Sequence, residues 1–223
     1  MAISDRKKRE KEQRIQSIIG AAEKLFFEKG YDNVSMNDIA QEVELNRATI
    51  YIYFENKEAL CIAVILRGVR LLNKMVRNNV KNKIYTKKII AWWNAHTMFF
   101  YLYPQYIPVY NLFQSGRFDL SVLKRPVWDD VREILKLQEE LFDILHSAIK
   151  TEKGGGTISS DVDPLYATIL IVSALDSALN VSPILEKEIK DMKASKYKKM
   201  NKYQDFDFRP SFIHFIDQLL RKR

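Results

Sequence analysis

The sequence predicts an all-α protein, and three observations carry that prediction. Only 7 glycines and 6 prolines punctuate 223 residues, too few for the turns of a strand-rich sandwich. Apolar residues recur at spacings of three and four through much of the chain, the period of an amphipathic helix. Polar residues able to cap a helix stand where several of these patterns begin.

Taken in order, Ile15, Ile18, Ile19, Ala22, Leu25 and Phe26 draw the buried stripe of a helix over Asp5 to Lys29, which Gly30 ends. Ser35-Met36-Asn37-Asp38 has the S-x-x-D form of an N-cap with an acid in the first turn, and predicts a short helix through Glu42. Asn46 caps a third helix, Arg47 to Phe54. Asn56 caps a fourth, which runs from Lys57 to Lys81 because no proline intervenes. The second and third helices are joined by about four residues, Val43 to Asn46, the spacing of a helix-turn-helix.

The remainder has its own punctuation. Thr86 to Tyr103 reads as an aromatic helix stopped by Pro104, and Pro108 falls in a broken segment leading to Gly116. Val127, Val131, Ile134, Leu135, Leu141, Phe142, Leu145 and Ile149 mark a long amphipathic helix that ends before Gly154-Gly155-Gly156. Asp163-Pro164 opens a nearly all-apolar helix to Val181, with proline in the first turn where no N–H is needed. A lysine-rich stretch, Glu186 to Lys202, precedes a last helix from Pro210.

Within the third helix, Ile50 and Phe54 stack along one side and pack inward, leaving Arg47, Ala48, Thr49, Tyr51 and Tyr53 outside. Two phenols and a threonine are an unusual solvated face, so an external surface is expected to cover it. A helix N-terminus carrying Thr and Arg suits DNA. Arg and Ala reach base edges in the major groove, while backbone N–H groups and Lys57 meet phosphates. The alternative is a small bundle whose tyrosines pack against a neighbouring domain.

The residues AAEKLFFEKGYDNVSMNDIAQEV and ATIYIYFENKEAL, within 14–60, resemble the N-terminal domain of TetR-type transcriptional regulators. The matching pattern is F-x-x-K-G-Y, then S-x-x-D-I-A, then T-[LI]-Y-x-Y-F-x-x-K-E-x-L. The resemblance implies a helix-turn-helix from Val34 to Tyr53, a homodimer reading an inverted-repeat operator, and a larger C-terminal domain that binds a small effector. It carries DNA contacts onto Ser35, Met36, Arg47, Ala48, Thr49, Tyr51 and Tyr53, with Lys57 as a phosphate contact. It also sets the expected division: residues 1–56 as the DNA-binding domain and 57–223 as the helical ligand-binding and dimerisation domain. Two positions depart from the pattern. Glu44 stands in the turn where glycine is usual, and Ile52 replaces a commonly polar residue.

Charge is distributed unevenly. Residues 1–58 hold 10 Lys/Arg against 11 Asp/Glu, leaving 26 against 17 for the rest of a chain whose net charge is +8. Phosphate contact therefore depends on where cations point, and the run Arg6, Lys7, Lys8, Arg9, Lys11, Arg14 is a candidate arm over the duplex. From Ala59 to Phe118 there is no acidic residue, while Arg67, Arg70, Lys74, Arg77, Lys81, Lys83, Lys87, Lys88 and Arg117 are all basic. Such cations either form an exposed helix face or line the mouth of a ligand cavity.

The effector candidates are an aromatic run with a few polar groups: Trp92, Trp93, His96, Phe99, Phe100 and Tyr103, followed by Tyr110, Phe113, Gln114 and Phe118. An apolar chamber with sparse polar groups suits a small hydrophobic or amphiphilic molecule, and a cationic mouth would favour an anionic head such as a fatty acyl thioester of coenzyme A. An aromatic stripe is also ordinary core. Leu165, Ile169, Val172, Leu175 and Leu179 lie on a helix apolar on nearly every side, which must be buried. With Phe212, Phe215 and Leu219 of the last helix it forms the expected four-helix dimer interface.

Other classes find little support. There is no G-x-S-x-G, H-E-x-x-H or phosphate-loop motif, so no catalytic residue and no enzyme is expected. The single cysteine, Cys61, and the scattered His96, His146 and His214 give no metal cluster, and no cofactor is expected. The charged N-terminus lacks a signal-peptide apolar core and no run reaches membrane-span length, which predicts a cytoplasmic protein without membrane contact. An architectural DNA binder without an effector is the rival reading.

Overall fold

The computed structural model describes residues 2–81, 83, 87–119, 121 and 123–179. They form α1 (Ala2–Lys29), a short 3-10 turn (Tyr31–Asn33), α2 (Met36–Glu42), α3 (Arg47–Tyr53), α4 (Lys57–Lys81), α5 (Lys88–Leu102), α6 (Tyr106–Gln114), α7 (Arg125–Gly154) and α8 (Pro164–Leu179). The protein is all-α, with no strand element among the described residues. The lysine-rich stretch after Glu186 and the helix expected from Pro210 lie outside the described residues.

Pro108 does not break the chain as expected. It sits in the first turn of α6, at the third helical position, where a backbone N–H has no acceptor within the helix. Asn56 caps α4 as its position suggests, its Oδ1 accepting from the Ala59 N–H at 2.7 Å.

The residues form two compact units. One comprises the chain up to Asn73 together with Tyr103–Gln138; the other comprises Lys74–Leu102 and the residues from Glu139 on. In the first unit, Ile18, Ala22, Leu25, Ile39, Ile50 and Leu60 are buried at its centre. Tyr31 organises the junction after α1. Its ring lies 5.4 Å from that of Phe26 and 5.6 Å from that of Phe118, and its hydroxyl donates to Glu58 Oε1 at 3.1 Å. Burial and the adjacent Glu58 carboxylate push the Tyr31 phenol well above its usual value.

A second polar knot ties α1, α4 and α6 in the same unit. Glu23 accepts from the Tyr106 hydroxyl with one oxygen and from Arg67 Nη1 at 2.9 Å with the other, and Arg67 Nη2 continues to Gln16 at 2.8 Å. Gly68 makes room for the Tyr106 ring. Alongside, Arg70 grips Glu133 with two bonds of 2.7 Å, and Asn73 donates to the Leu137 carbonyl at 3.3 Å. The partner number rises as the α4 number rises, so in this unit α4 and α7 run in the same direction.

In the second unit, Trp92 Nε1–H donates to the Leu141 carbonyl at 2.8 Å, and His96 Nδ1 lies 3.0 Å from the Trp92 carbonyl. A carbonyl only accepts, so Nδ1 carries the proton. Burial pushes the His96 imidazole down to about 4, leaving it neutral at physiological pH. Arg77 Nη2 donates to Glu140 at 2.6 Å. On α8, Ala167, Thr168, Ile171 and Leu175 are buried, whereas Leu165, Tyr166, Ile169 and Leu170 are exposed. Among the described residues, only one face of this apolar helix is covered.

Candidate nucleic-acid interface

The candidate interface is assembled by three local devices. At the start of α2, Ser35 and Asp38 form a reciprocal capping box. The Asp38 N–H donates to Ser35 Oγ at 3.2 Å, and the Ser35 N–H donates to Asp38 Oδ2 at 2.7 Å. The Ser35 bonds hold the Asp38 carboxyl below its ordinary range.

At the end of α2, the Glu44 N–H donates to the Gln41 carbonyl at 3.1 Å and the Leu45 N–H to the Ala40 carbonyl at 2.9 Å. This is the pair of bonds of a Schellman motif, and it requires a left-handed residue at Glu44, whose φ is 54°. The departure seen in the sequence thus leaves the turn's path intact. Glu44 adopts the backbone geometry that glycine takes more readily, at a penalty of roughly 1 kcal/mol.

At the start of α3, Asn46 Oδ1 accepts from both the Thr49 N–H and the Thr49 hydroxyl, each at 2.8 Å. Ile50 is fully buried and Phe54 is buried beneath the helix end. That anchoring turns Arg47, Ala48 and Tyr51 outward, with Thr49 and Tyr53 half-buried beside them. Arg47 Nη2 donates to the Tyr51 hydroxyl at 3.1 Å, and its guanidinium carbon lies 5.4 Å from the ring centre. Ile52 is 78% exposed on the same short helix.

Not every candidate presents its side chain. Met36 is buried, so its side chain is not presented to a partner. Lys57 donates to the carbonyls of Tyr31 at 3.0 Å and Val34 at 2.9 Å, with its amine 4.2 Å from the centre of the Tyr31 ring. Its charge is therefore engaged inside the unit. Arg6 to Arg14 belong to α1 itself, where Arg6 pairs with Glu10 at 2.7 Å; the basic run is a helix, not an extended arm. Sequence reasoning passed over Tyr31 and Glu58, although an aromatic directly after the capping Gly30 was the available signal.

The effector candidates divide between the two units. Trp92, Trp93, His96, Phe99 and Phe100 are in the second, where Trp92, Trp93, His96 and Phe99 are buried. Tyr103, Tyr110, Phe113, Gln114 and Phe118 are in the first. There Phe118 packs on Tyr31, Tyr110 accepts from Gln138, and Gln114 is exposed. The acid-free cations are less available than the sequence suggests: Arg67, Arg70, Arg77 and Arg117 are paired with Glu23, Glu133, Glu140 and Asp32. Of the dimer candidates, Leu165 and Ile169 are exposed, Val172 is half-buried and Leu175 is buried. Phe212, Phe215 and Leu219 lie outside the described residues, as does the side chain of Leu179.

Residues 18–64 match the family model of bacterial regulatory proteins of the tetR family. A helix-turn-helix transcriptional regulator of Lactococcus lactis subsp. lactis is 34% identical over 68 residues, 30% of this chain and 35% of the relative. One of Staphylococcus aureus (strain USA300) is 46% identical over 61 residues, 27% of this chain and 31% of the relative. The matches span about a third of the length of these relatives. Among solved structures, the fatty acid degradation regulator FadR from Bacillus halodurans superposes with a TM-score of 0.62 at 20% identity, covering 93% of this chain and 94% of that one. The ketosteroid regulator KstR2 of Mycobacterium tuberculosis does so with 0.63 at 11% identity, over 94% and 96%. A Saccharomonospora viridis regulator in complex with choline gives 0.68 at 16% identity, over 95% and 100%. At such identities the likeness is one of fold.

Proposed function

We propose, on the premise that this chain carries the DNA-binding domain of the tetR family of bacterial regulatory proteins, that it is a DNA-binding transcriptional regulator of the repressor type. The observation that carries the reading is α3: Ile50 is sealed in the core while Arg47, Ala48 and Tyr51 stand outward in a helix-turn-helix. Such a helix fits the major groove, with its N-terminal residues at base edges and backbone amides toward phosphate.

Two copies reading an inverted repeat is the second part of the proposal. Recognition helices must reach successive major grooves about 34–36 Å apart, which calls for a two-fold dimer. The exposed Leu165, Tyr166, Ile169 and Leu170 on α8 support pairing there, because an apolar row of this kind is costly in water. The C-terminal residues, including Phe212, Phe215 and Leu219, would complete that interface.

The third part is release by a small effector that favours a dimer state whose helices no longer match the grooves. A hydrophobic or amphiphilic molecule suits the aromatic candidates. A fatty acyl thioester draws support from the fold shared with the fatty acid degradation regulator, but not from Arg67, Arg70 or Arg77, whose guanidiniums are already paired.

The test is binding of the full chain to duplexes enriched from a randomised library. Arg47→Ala and Tyr51→Ala are each expected to weaken the selected operator about tenfold or more while the dimer persists in sedimentation. Wild-type affinity in both would remove α3 as the reading helix. Mass spectrometry of molecules co-purified with the native protein tests the effector, and palmitoyl-coenzyme A added to the operator complex tests the acyl thioester directly.

A further inference from the structure

The Arg47–Tyr51 contact points to a more specific role than a pair of independent DNA contacts. We infer that Tyr51 acts as a positioning residue, holding the Arg47 guanidinium so that one of its two-donor edges meets a guanine in each operator half-site. This rests on the reading of α3 as the recognition helix.

Arg47 is the first residue of α3 and Tyr51 lies one turn further on, so the two side chains share a face. The guanidinium is held twice, through the 3.1 Å bond from Nη2 to the phenol oxygen and by its position 5.4 Å from the ring centre. The Asn46 cap fixes the backbone beneath it, and fully buried Ile50 fixes the rotation of the helix. An exposed arginine otherwise samples many rotamers, and ordering it on binding erodes the discrimination it provides.

The bond to Tyr51 consumes one of the five guanidinium N–H groups. Whichever Nη2 hydrogen it takes, a complete edge remains, either Nη1 with Nη2 or Nε with Nη2. Two parallel donors match guanine O6 and N7, which is the most frequent specific pairing in the major groove. Phosphate also accepts a two-donor edge but is served as well by a point charge on a flexible stem, so an edge held in one orientation gains more at guanine O6 and N7. A tyrosine whose ring lies close to the guanidinium and whose hydroxyl accepts from it therefore favours base reading over phosphate contact.

The experiment selects duplexes of about 30 base pairs from a randomised library with the full-length wild type, Tyr51→Phe, Arg47→Lys and Arg47→Ala. Synthetic operators carrying guanine or adenine at each enriched position are then titrated over a range of salt concentrations. Wild type is expected to prefer guanine at one position per half-site by about tenfold or more. Arg47→Lys, which replaces the planar fork with a single ammonium, is expected to reduce that preference sharply. Tyr51→Phe, which keeps the ring but removes the hydroxyl, is expected to reduce it by about threefold to tenfold with the salt slope unchanged. Three results overturn the inference: an unchanged guanine preference in Tyr51→Phe; no guanine enrichment by wild type; or a salt slope reduced by about one in Arg47→Ala with base preference intact, which marks Arg47 as a phosphate ligand. Failure of the wild type to bind any duplex would instead remove the regulator reading itself.

Discussion

Gly68 and Tyr106 touch so closely that a methyl group on Gly68 would lie 2.5 Å from two carbons of the Tyr106 ring. The ring has little freedom to retreat, because its edge meets Phe27 at 5.0 Å and its hydroxyl is bound by Glu23. In an open helix, glycine to alanine would stabilise by about 1 kcal/mol. Here overpacking should dominate, and Gly68→Ala is expected to destabilise by about 1–3 kcal/mol in urea unfolding. In a Tyr106→Ala background the same change should become neutral or stabilising. Destabilisation that persists there would mean that the ring is not what glycine accommodates.

Glu44 offers the opposite case. Its left-handed backbone, φ 54°, is held by the two Schellman bonds and not by its side chain. Glu44→Gly is expected to raise stability by about 0.5–1 kcal/mol, read as a higher urea midpoint at unchanged m. On the proposed function it should also strengthen binding to duplex DNA slightly, by removing an acid just before α3. A drop in stability would show that the carboxylate makes a contribution larger than the backbone strain.

The exposed apolar row on α8 predicts where the proposed dimer can be broken. Ile169→Glu places a charge on a side chain already facing water in the single chain, so the chain should stay helical by circular dichroism. Sedimentation at micromolar concentration is expected to shift from dimer to monomer, since a buried unpaired carboxylate disfavours association by several kcal/mol. A dimer of wild-type affinity would move the interface off this face.

His96 predicts a pH dependence. Its imidazole is buried and pushed down from 6.5 to about 4, so the unfolded chain binds the proton more tightly than the folded one. The contribution is whole above pH 6.5 and declines as pH falls toward 4, by up to about 3 kcal/mol. Unfolding free energies measured at pH 7 and pH 5 should therefore differ by less in His96→Asn, which preserves a donor to the Trp92 carbonyl. An equal pH loss in both proteins would assign the effect to other groups.

Much of α3 was legible because its determinants are local. Asn46 and Asn56 mark the starts of α3 and α4 by capping them, and the spacing of Ile50 and Phe54 gives the buried side. The fate of the cations was not legible. Arg70 and Arg77 stand in an acid-free stretch, yet each finds a glutamate 63 residues further on, a distance that composition along the chain cannot bridge. Pro108 misled for a different reason. Proline stops a helix from within but is harmless in a first turn, and only the start of α6 at Tyr106 separates the two cases. Likewise, Lys57 reads as a cation free to meet phosphate until the carbonyls of Tyr31 and Val34 are seen around it.

That last arrangement makes one amine the clasp between two stretches far apart along the chain. The carbonyls of Tyr31 and Val34, at either end of the short 3-10 turn, are fastened to the start of α4 through the same Nζ, so the turn cannot swing away from that helix without giving up both bonds. A protease probing for a weak seam should find this turn shut, and neutralising Lys57 to methionine would open it to cleavage between Tyr31 and Val34.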